Sequence, residues 1–485
     1  MVFSDLLFIF VFLPAFIVLY LIAGAIDRHA AATRGGGGRR MLARNVTLML
    51  FSLVFYSWGE PVYIALMLVC VLINYLTGRG IAAARRRWSA KAWLIVGLVL
   101  DLAILASFKY LGFFAESLGS LGLEVKVPVI ALPIGISFYT FQSISYLVDV
   151  YRRESPAIRS YFDLLLYIAM FPQLIAGPIV RYSTVADEIY NRSADAADIA
   201  EGSYRFIVGL AKKVIIANIM GEAADTFLAD NLSTLSTAGA WIGIVAFTLQ
   251  IYFDFSGYSD MAIGLGRCMG FHFCENFNHP YVSRSITEFW RRWHMSLGSF
   301  FRDYVYIPMG GNRRHQVVNI LTVWFLTGMW HGASWNFIMW GVYFGLILMV
   351  EKRFILPAQK RIPAVLLHFY TMLIVTVGFG IFYFTDTASL GVLFKSLVGL
   401  TPHSAGILER SAIMGNFWIW IAALLLCMPV RSRLEQAAEW LGVRTGAPGR
   451  AVISLSRAVI CVGLLVVCVA LLVGATNNPF IYTRF

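Results

Sequence analysis

The sequence predicts an all-α integral membrane protein, and three observations carry that prediction. Of 485 residues, 59% are hydrophobic and 14% charged, against about 25% charged in an average soluble domain. The apolar residues fall in long runs, many of about 18 residues or more, and a run of roughly 20 spans a bilayer as a helix. The basic residues gather between those runs, as the cytoplasmic loops of membrane proteins do. Lys and Arg exceed Asp and Glu by 39 − 27, a net charge of +12. In this setting the excess points to anionic lipid headgroups and excludes nucleic acid as a partner.

The elements follow in order. Residues 6–26 form a first span, retained because no basic start or small-residue cleavage site marks a secretory signal. Arg28, Arg34, Arg39, Arg40 and Arg44, interrupted by the glycines at 35–38, make a cytoplasmic loop. Runs 46–58 and 63–76 are separated by Gly59, Glu60 and Pro61, which mark a turn. Arg79, Arg85, Arg86, Arg87 and Lys91 make a second cytoplasmic loop, so the two short runs form a hairpin and the N-terminus is extracytoplasmic. Run 92–114 carries Asp101 and Lys109, run 127–150 returns to Arg152 and Arg153, and run 161–180 is interrupted by Pro172 and by Gly177–Pro178.

Residues 181–203 are polar and acidic, hence a loop, and 206–220 is amphipathic with Lys212 and Lys213. Run 238–263 is polar in its second half. Residues 276–312 are too polar for an ordinary span, and such sequence at membrane depth must be buried in protein or line a cavity. They are read as re-entrant or interfacial helices. Run 317–350 contains His331, and further spans lie at 365–384, 417–430 and 458–473. Arg431, Arg433, Arg444, Arg450 and Arg457 place the last loop in the cytoplasm and the C-terminus outside. The expectation is about eleven transmembrane helices plus re-entrant or interfacial helices, in one polytopic domain over 1–485. The six cysteines read as small buried hydrophobes, and no metal site is expected.

Three constellations could carry chemistry. The first is Trp330-His331-Gly332-Ala333-Ser334-Trp335-Asn336, running on to Trp340-Gly341. A histidine within a spanning segment needs a partner or a cavity. Small residues beside it leave room for a substrate, Ser334 and Asn336 offer hydrogen bonds, and Trp330, Trp335 and Trp340 offer apolar walls. Imidazole suits general-base work near neutral pH; the plainer reading is a packed histidine bonded to a neighbouring carbonyl. The second runs from Glu288 through Trp290, Trp293, His294 and Leu297 to Arg302, Asp303 and Tyr304. Helical spacing puts Trp290, Trp293, His294 and Leu297 on one face and turns Arg291, Arg292 and Met295 away. An interfacial aromatic belt explains the tryptophans and arginines of that stretch, but explains His294 less well. The third, Gln250 to Asp260, sets Asp254, Tyr258 and several hydroxyls where they line a polar tunnel, support a histidine, or simply end a helix at the water interface. Gly177–Pro178 with Arg181, and Asp101 with Lys109, are weaker candidates for a helix break or an internal ion pair. No glycine-rich phosphate loop, HExxH helix or GxSxG elbow occurs.

These segments resemble the membrane-bound O-acyltransferase family in its bacterial branch, most of all its members that acetylate alginate and similar polysaccharides or peptidoglycan. The carriers are Trp330-His331-Gly332 with Trp335 and Trp340-Gly341, the block from Phe289 to Tyr304, the stretch from Phe253 to Asp260, Gly177-Pro178-Ile179, and the ending from Asn478 to Tyr482. The resemblance implies a helical ring around a central funnel in the bacterial inner membrane. It implies that His331 is the essential histidine and His294 the second histidine of the branch. It further implies transfer of an acetyl group from a cytoplasmic thioester, acetyl-CoA, to an extracytoplasmic acceptor, with no bound cofactor.

His331 is then the expected base, with His294 assisting. Trp330, Ser334, Trp335, Asn336, Asp254, Tyr258, Arg302 and Tyr304 are the expected substrate contacts. No hydrolase-like domain lies in this sequence, so an SGNH-hydrolase-like transferase or other acetyl acceptor outside the membrane is the expected partner, within a polysaccharide pathway complex and among membrane lipids. D-alanyl or other acyl transfer to a cell-wall polymer, transport of an activated precursor, and a scaffold role with a structural His331 are the alternatives. The sequence does not decide whether His331 carries a proton or the acyl group.

Overall fold

The computed structural model describes residues 1–33, 41–123, 125–128, 130–175, 177–474 and 480–481, the side chains of 431, 435, 439 and 442 excepted. Arg34, Arg39 and Arg40 with their glycines, the Arg431 side chain, and Asn478, Pro479 and Tyr482 of the chain's ending lie outside the described residues. Among the described residues the chain is all-helical, with no strand. Six helices there are long and apolar enough to cross a membrane: Phe8–Thr33, Tyr63–Ala83, Arg87–Lys109, Thr237–Met269, Ala364–Tyr383 and Val443–Gly474. Their outward side chains are the apolar ones. Phe10, Val11, Val18 and Leu21 on the first helix and Val459, Val462 and Val466 on the last are exposed, which hydrocarbon tolerates and water does not.

The chain divides into two compact units, Met1–Phe206 with Ser259–Cys274, and Ile207–Tyr258 with Glu275–Phe485. In the first, Phe3, Phe8, Phe12, Phe16, Phe55 and Phe171 interlock, Phe171 sitting 5.2 Å from Phe16 and 5.7 Å from Phe55 between ring centroids. The hairpin expected from Gly59–Pro61 is present as Leu42–Gly59 and Tyr63–Ala83. Run 127–150 becomes helical only at Ile136, because Pro128 and Pro133 cannot donate to a helical ladder and Gly135 turns the chain at φ +79. Run 161–180 breaks where expected, as Tyr161–Ala169 followed by Phe171–Leu174.

The stretch expected as a loop at 181–203 is instead largely helical, as Tyr182–Tyr190 and the start of Ala196–Ala211. Tyr182, Val185 and Ile189 bury one helical face, and the Asp195 carboxylate accepts the Asp198 N–H at 2.8 Å to start the second helix. Polarity there marks an exposed helix face, not irregular chain. Asp101 and Lys109, two turns apart on one helix, have separate partners: Asp101 accepts from Asn74 at 2.8 Å and Lys109 donates to Ser137 at 3.2 Å. Cys70, Cys427 and Cys468 are buried as expected of small hydrophobes, whereas Cys274 is exposed.

In the second unit a buried ion pair anchors residues 237–258, that unit's part of the helix Thr237–Met269. Lys213 Nζ lies 2.9 Å from Asp254 Oδ1, with both side chains almost fully enclosed. Asp254 Oδ2 accepts the Ile481 N–H at 2.8 Å, and Phe480 lies against the Tyr258 ring at 4.6 Å. The apolar run 317–350 is not one helix but two, Gln316–His331 and Trp335–Val350, because Gly332 adopts an extended conformation at the junction.

Removing one partner of the buried pair strands the other's charge, at a cost of roughly 3–5 kcal/mol, whereas removing both leaves none. Lys213→Met should therefore lower the thermal unfolding midpoint in detergent markedly. Lys213→Met/Asp254→Leu should recover most of the loss. Equal destabilisation by the single and double variants would show that the pair is not what holds this region.

Candidate active site

The His331 hairpin is built on two glycines. A Cβ placed on Gly328 would lie 2.3 Å from the Phe337 carbonyl oxygen, and one on Gly341 would lie 2.3 Å from that of Trp324. The two helices therefore touch backbone to backbone. His331 follows Gly328 by one turn and ends its helix, 6% exposed. Three aromatic rings stand nearly perpendicular to the imidazole: Trp330 at 4.9 Å, Trp340 at 5.0 Å and Phe382 at 5.1 Å between centroids. The room expected beside Gly332 is taken by the Phe337 ring, which a Cβ there would strike.

His294 is 2% exposed and sits between two short helices, Ile286–Arg292 and Met295–Phe301. The single helix expected here is broken at Trp293 and His294, the latter at φ +44. That left-handed conformation is tolerable for histidine when side-chain bonds fix it. Asn276 supplies them: its Oδ1 lies 3.0 Å from His294 Nδ1 and accepts from Ser296 Oγ at 2.9 Å and Ser296 N at 3.4 Å, while its carbonyl accepts the Met295 N–H at 2.9 Å. A backbone N–H only donates, so the Asn276 atom is the oxygen and His294 Nδ1 carries a hydrogen. The accepting nitrogen of the neutral ring is then Nε2.

At the other end of this element, Glu351 accepts the Ile286 and Thr287 N–H groups at 2.5 and 2.7 Å, and Ser285 caps Glu288 N at 3.0 Å. Together they satisfy three N-terminal N–H groups that have no partner within the helix.

Both histidines line one cavity of about 290 Å³. Its walls include Trp290, Trp293, Trp324, Leu297 and Thr327, and Arg291, Arg302 and Lys352 also line it. Trp330 touches both imidazoles, at 5.7 Å from His294 and 4.9 Å from His331. The cavity thus joins two buried histidines to three cationic side chains. The family model described as MBOAT, membrane-bound O-acyltransferase family, matches residues 3–394. The chain belongs to the membrane-bound O-acyltransferase family.

Relatives of this acyltransferase agree. The probable alginate O-acetylase of Pseudomonas aeruginosa is 44% identical over 424 residues, covering 86% of this chain and 78% of that protein. That of Azotobacter vinelandii is 44% identical over 457 residues, covering 92% and 87%. The peptidoglycan O-acetyltransferase of Helicobacter pylori is 32% identical over 446 residues, covering 85% and 82%. The chain is therefore an O-acyltransferase and a multi-pass membrane protein.

The other residues singled out in the sequence of the acyltransferase are dispersed. Arg302 lines the cavity and pairs with Asp303, Nε to Oδ1 at 2.6 Å. Tyr304 packs against Phe300 with ring centroids 4.9 Å apart and is not among the lining residues. Trp335 is 56% exposed, Ser334 donates to the Thr385 carbonyl at 3.3 Å, and the buried Asn336 reaches the Phe382 carbonyl only at 3.5 Å. Asp254 and Tyr258 belong to the cluster around Lys213 and Phe480. Arg291, expected to turn away from His294, lines the cavity with it, whereas Arg292 pairs with Glu288 at 2.9 Å. Asn276, Glu351, Trp324 and Lys352 escaped the sequence reading. For Glu351 a signal existed: it is an acid closing an apolar run.

Gly341→Ala in the acyltransferase should cost about 1–3 kcal/mol by overpacking and reduce acyl transfer further by displacing His331. Thermal unfolding and turnover measured on one preparation would check both. Wild-type behaviour in this variant would mean that the helices do not meet as closely as described.

Proposed function

We propose that this acyltransferase moves an acetyl group from acetyl-CoA, entering from the cytoplasm, to an extracytoplasmic acceptor for O-acetylation of a cell-surface or secreted polysaccharide. The observation that carries the reading is the single cavity shared by His331, His294 and the cationic Arg291, Arg302 and Lys352. A thioester donor with a phosphorylated tail needs a reactive end in a dry site and cations along the tail. The relatives named for alginate and peptidoglycan O-acetylation support an acetyl group and a polysaccharide acceptor.

In this reading the protein is one polytopic domain of about eleven crossings in the bacterial inner membrane, ringed around a thinned central funnel, with both termini extracytoplasmic. The first arm of the His331 hairpin, Gln316–His331, has 16 residues, roughly 24 Å of helix against a hydrocarbon core of about 30 Å. An arm of that length, starting at one membrane face, leaves its end, with His331, at membrane depth.

A ring nitrogen of His331 takes the proton of the acceptor hydroxyl as its oxygen attacks the thioester carbonyl. The tetrahedral carbon expels the thiolate, the C–S bond breaks, and the proton passes from His331 to sulfur. The ester forms and the free thiol leaves. His294, held by Asn276, orients the acceptor or steadies the carbonyl oxygen. An SGNH-hydrolase-like transferase outside the membrane receives the acetyl group on a serine and passes it to the polymer, within the polysaccharide pathway complex.

His331→Ala should lower thioester-dependent acetylation by roughly 10²–10⁴-fold, with membrane levels of the protein unchanged. The measurements are acetyl ester content of the polymer in cells and release of free CoA from labelled acetyl-CoA by membranes. Retained acetylation in the variant would sink the assignment. A precursor transporter would consume no acetyl-CoA in either form.

A further inference from the structure

A second groove, of about 870 Å³, lies in the same unit and is lined by neither histidine. Its floor is buried: Thr248, Leu249, Tyr281 and Cys427. The floor's hydroxyls are turned inward, Thr248 Oγ1 donating to the Ile244 carbonyl and Tyr281 Oη to the Thr248 carbonyl. Its rim is open, with Val365, Leu424 and Met428 more than half exposed. A surface of this kind offers a sugar or a peptide little to bond and suits an aliphatic chain.

Along the Ala364–Tyr383 helix the lining runs from Ala364 to Thr376, roughly 18 Å at 1.5 Å per residue. One leaflet of hydrocarbon is about 15 Å deep. The end near Ala364 is basic. His368 Nδ1 donates to the Ser283 carbonyl at 3.1 Å, which brings it beside Arg284, and both line the groove together with Arg433. No carboxylate is among the described lining residues. The nearby Glu288 is engaged by Arg292 and by the Arg284 backbone N–H. The neighbouring sequence, with Arg353, Lys360 and Arg361, carries the basic bias of a cytoplasmic face.

We propose that this groove binds one anionic phospholipid of the cytoplasmic leaflet, an acyl chain lying along the Ala364–Tyr383 helix and the phosphate held by Arg284 and Arg433. Basic pockets between membrane helices on that side recognise anionic headgroups. The occupant would rest against the Tyr281–Arg284 turn, which leads directly into the helix that positions His294.

The test is native mass spectrometry of the full-length protein from detergent, titrated with phosphatidylglycerol, phosphatidylcholine or soluble glycerol phosphate. Wild type should retain one phosphatidylglycerol in preference to phosphatidylcholine, and glycerol phosphate should neither bind nor displace it. Arg284→Gln and Arg433→Gln, at exposed positions that folding does not need, should each weaken binding about fivefold and together about thirtyfold, at about 1 kcal/mol per arginine. Equal retention of the two lipids, no retention, or unchanged affinity in the double variant would overturn the proposal. So would a dimer in the same spectra that the double variant dissociates, since a second copy would then be the occupant. Binding of glycerol phosphate alone would reduce the groove to a free-phosphate site and overturn it too.

Discussion

Two helices meet backbone to backbone at Gly328 and Gly341, and most of the site's geometry follows from that contact. With only hydrogen at both positions, each helix brings a carbonyl oxygen to where the other's Cβ would stand. Sliding either arm would drive a side chain into backbone, so the register is fixed. Fixed register sets the neighbours. His331 lies one turn beyond Gly328, and Trp340 immediately precedes Gly341, which is why their rings meet edge to face at 5.0 Å. Trp324, one turn before Gly328, meets Trp340 at 5.9 Å and Trp290 at 4.8 Å. The tryptophan frame is thus a consequence of the glycines.

The same hairpin also places the second histidine. Its second arm runs on from Val350 into Glu351–Ile355, and Glu351 there holds the first N–H groups of the helix leading to His294. At the far end of that helix Asn276 fixes the break where His294 turns. Each device satisfies backbone donors that a non-helical segment would otherwise leave bare, which apolar surroundings make costly. Irregular chain can therefore sit beside the cavity, with its two histidines referenced to one rigid element.

The apolar runs, the hairpin at Gly59–Pro61, the break near Pro172 and the placement of both histidines against a pocket were legible in the sequence. Composition and periodicity report burial and period, and those features depend on little else. What was not legible depends on long-range contact. The run 317–350 reads as continuous because glycine, alanine and serine are apolar enough to pass, and only packing shows that Gly332 turns the chain. The helix through Trp293 and His294 has helical spacing, but Asn276, 18 residues earlier, decides that it breaks. What Asp254 and Tyr258 touch was not legible: Lys213 and Ile481, which engage Asp254, and Phe480, which lies against the Tyr258 ring, are remote in sequence. The helical turns within 182–203 were missed for the opposite reason: their buried face is narrow and their exposed face is acidic.

The aromatic enclosure of His331 bears directly on acyl transfer. Activated acyl groups react with water as well as with alcohols, so an O-acyltransferase must favour the intended hydroxyl by excluding solvent and by orientation. Trp330, Trp340 and Phe382 meet the imidazole at interplanar angles of 75°, 81° and 82°. Three perpendicular rings restrict rotation of the imidazole while covering it with apolar surface, and edge-to-face contact is the geometry aromatic pairs prefer. Trp330 extends the cover to His294. An imidazole held this way meets only what enters the shared cavity, and the cations lining that cavity attract anionic groups over neutral ones. Packing, in this protein, does the work of selection that a soluble enzyme often assigns to a closing lid.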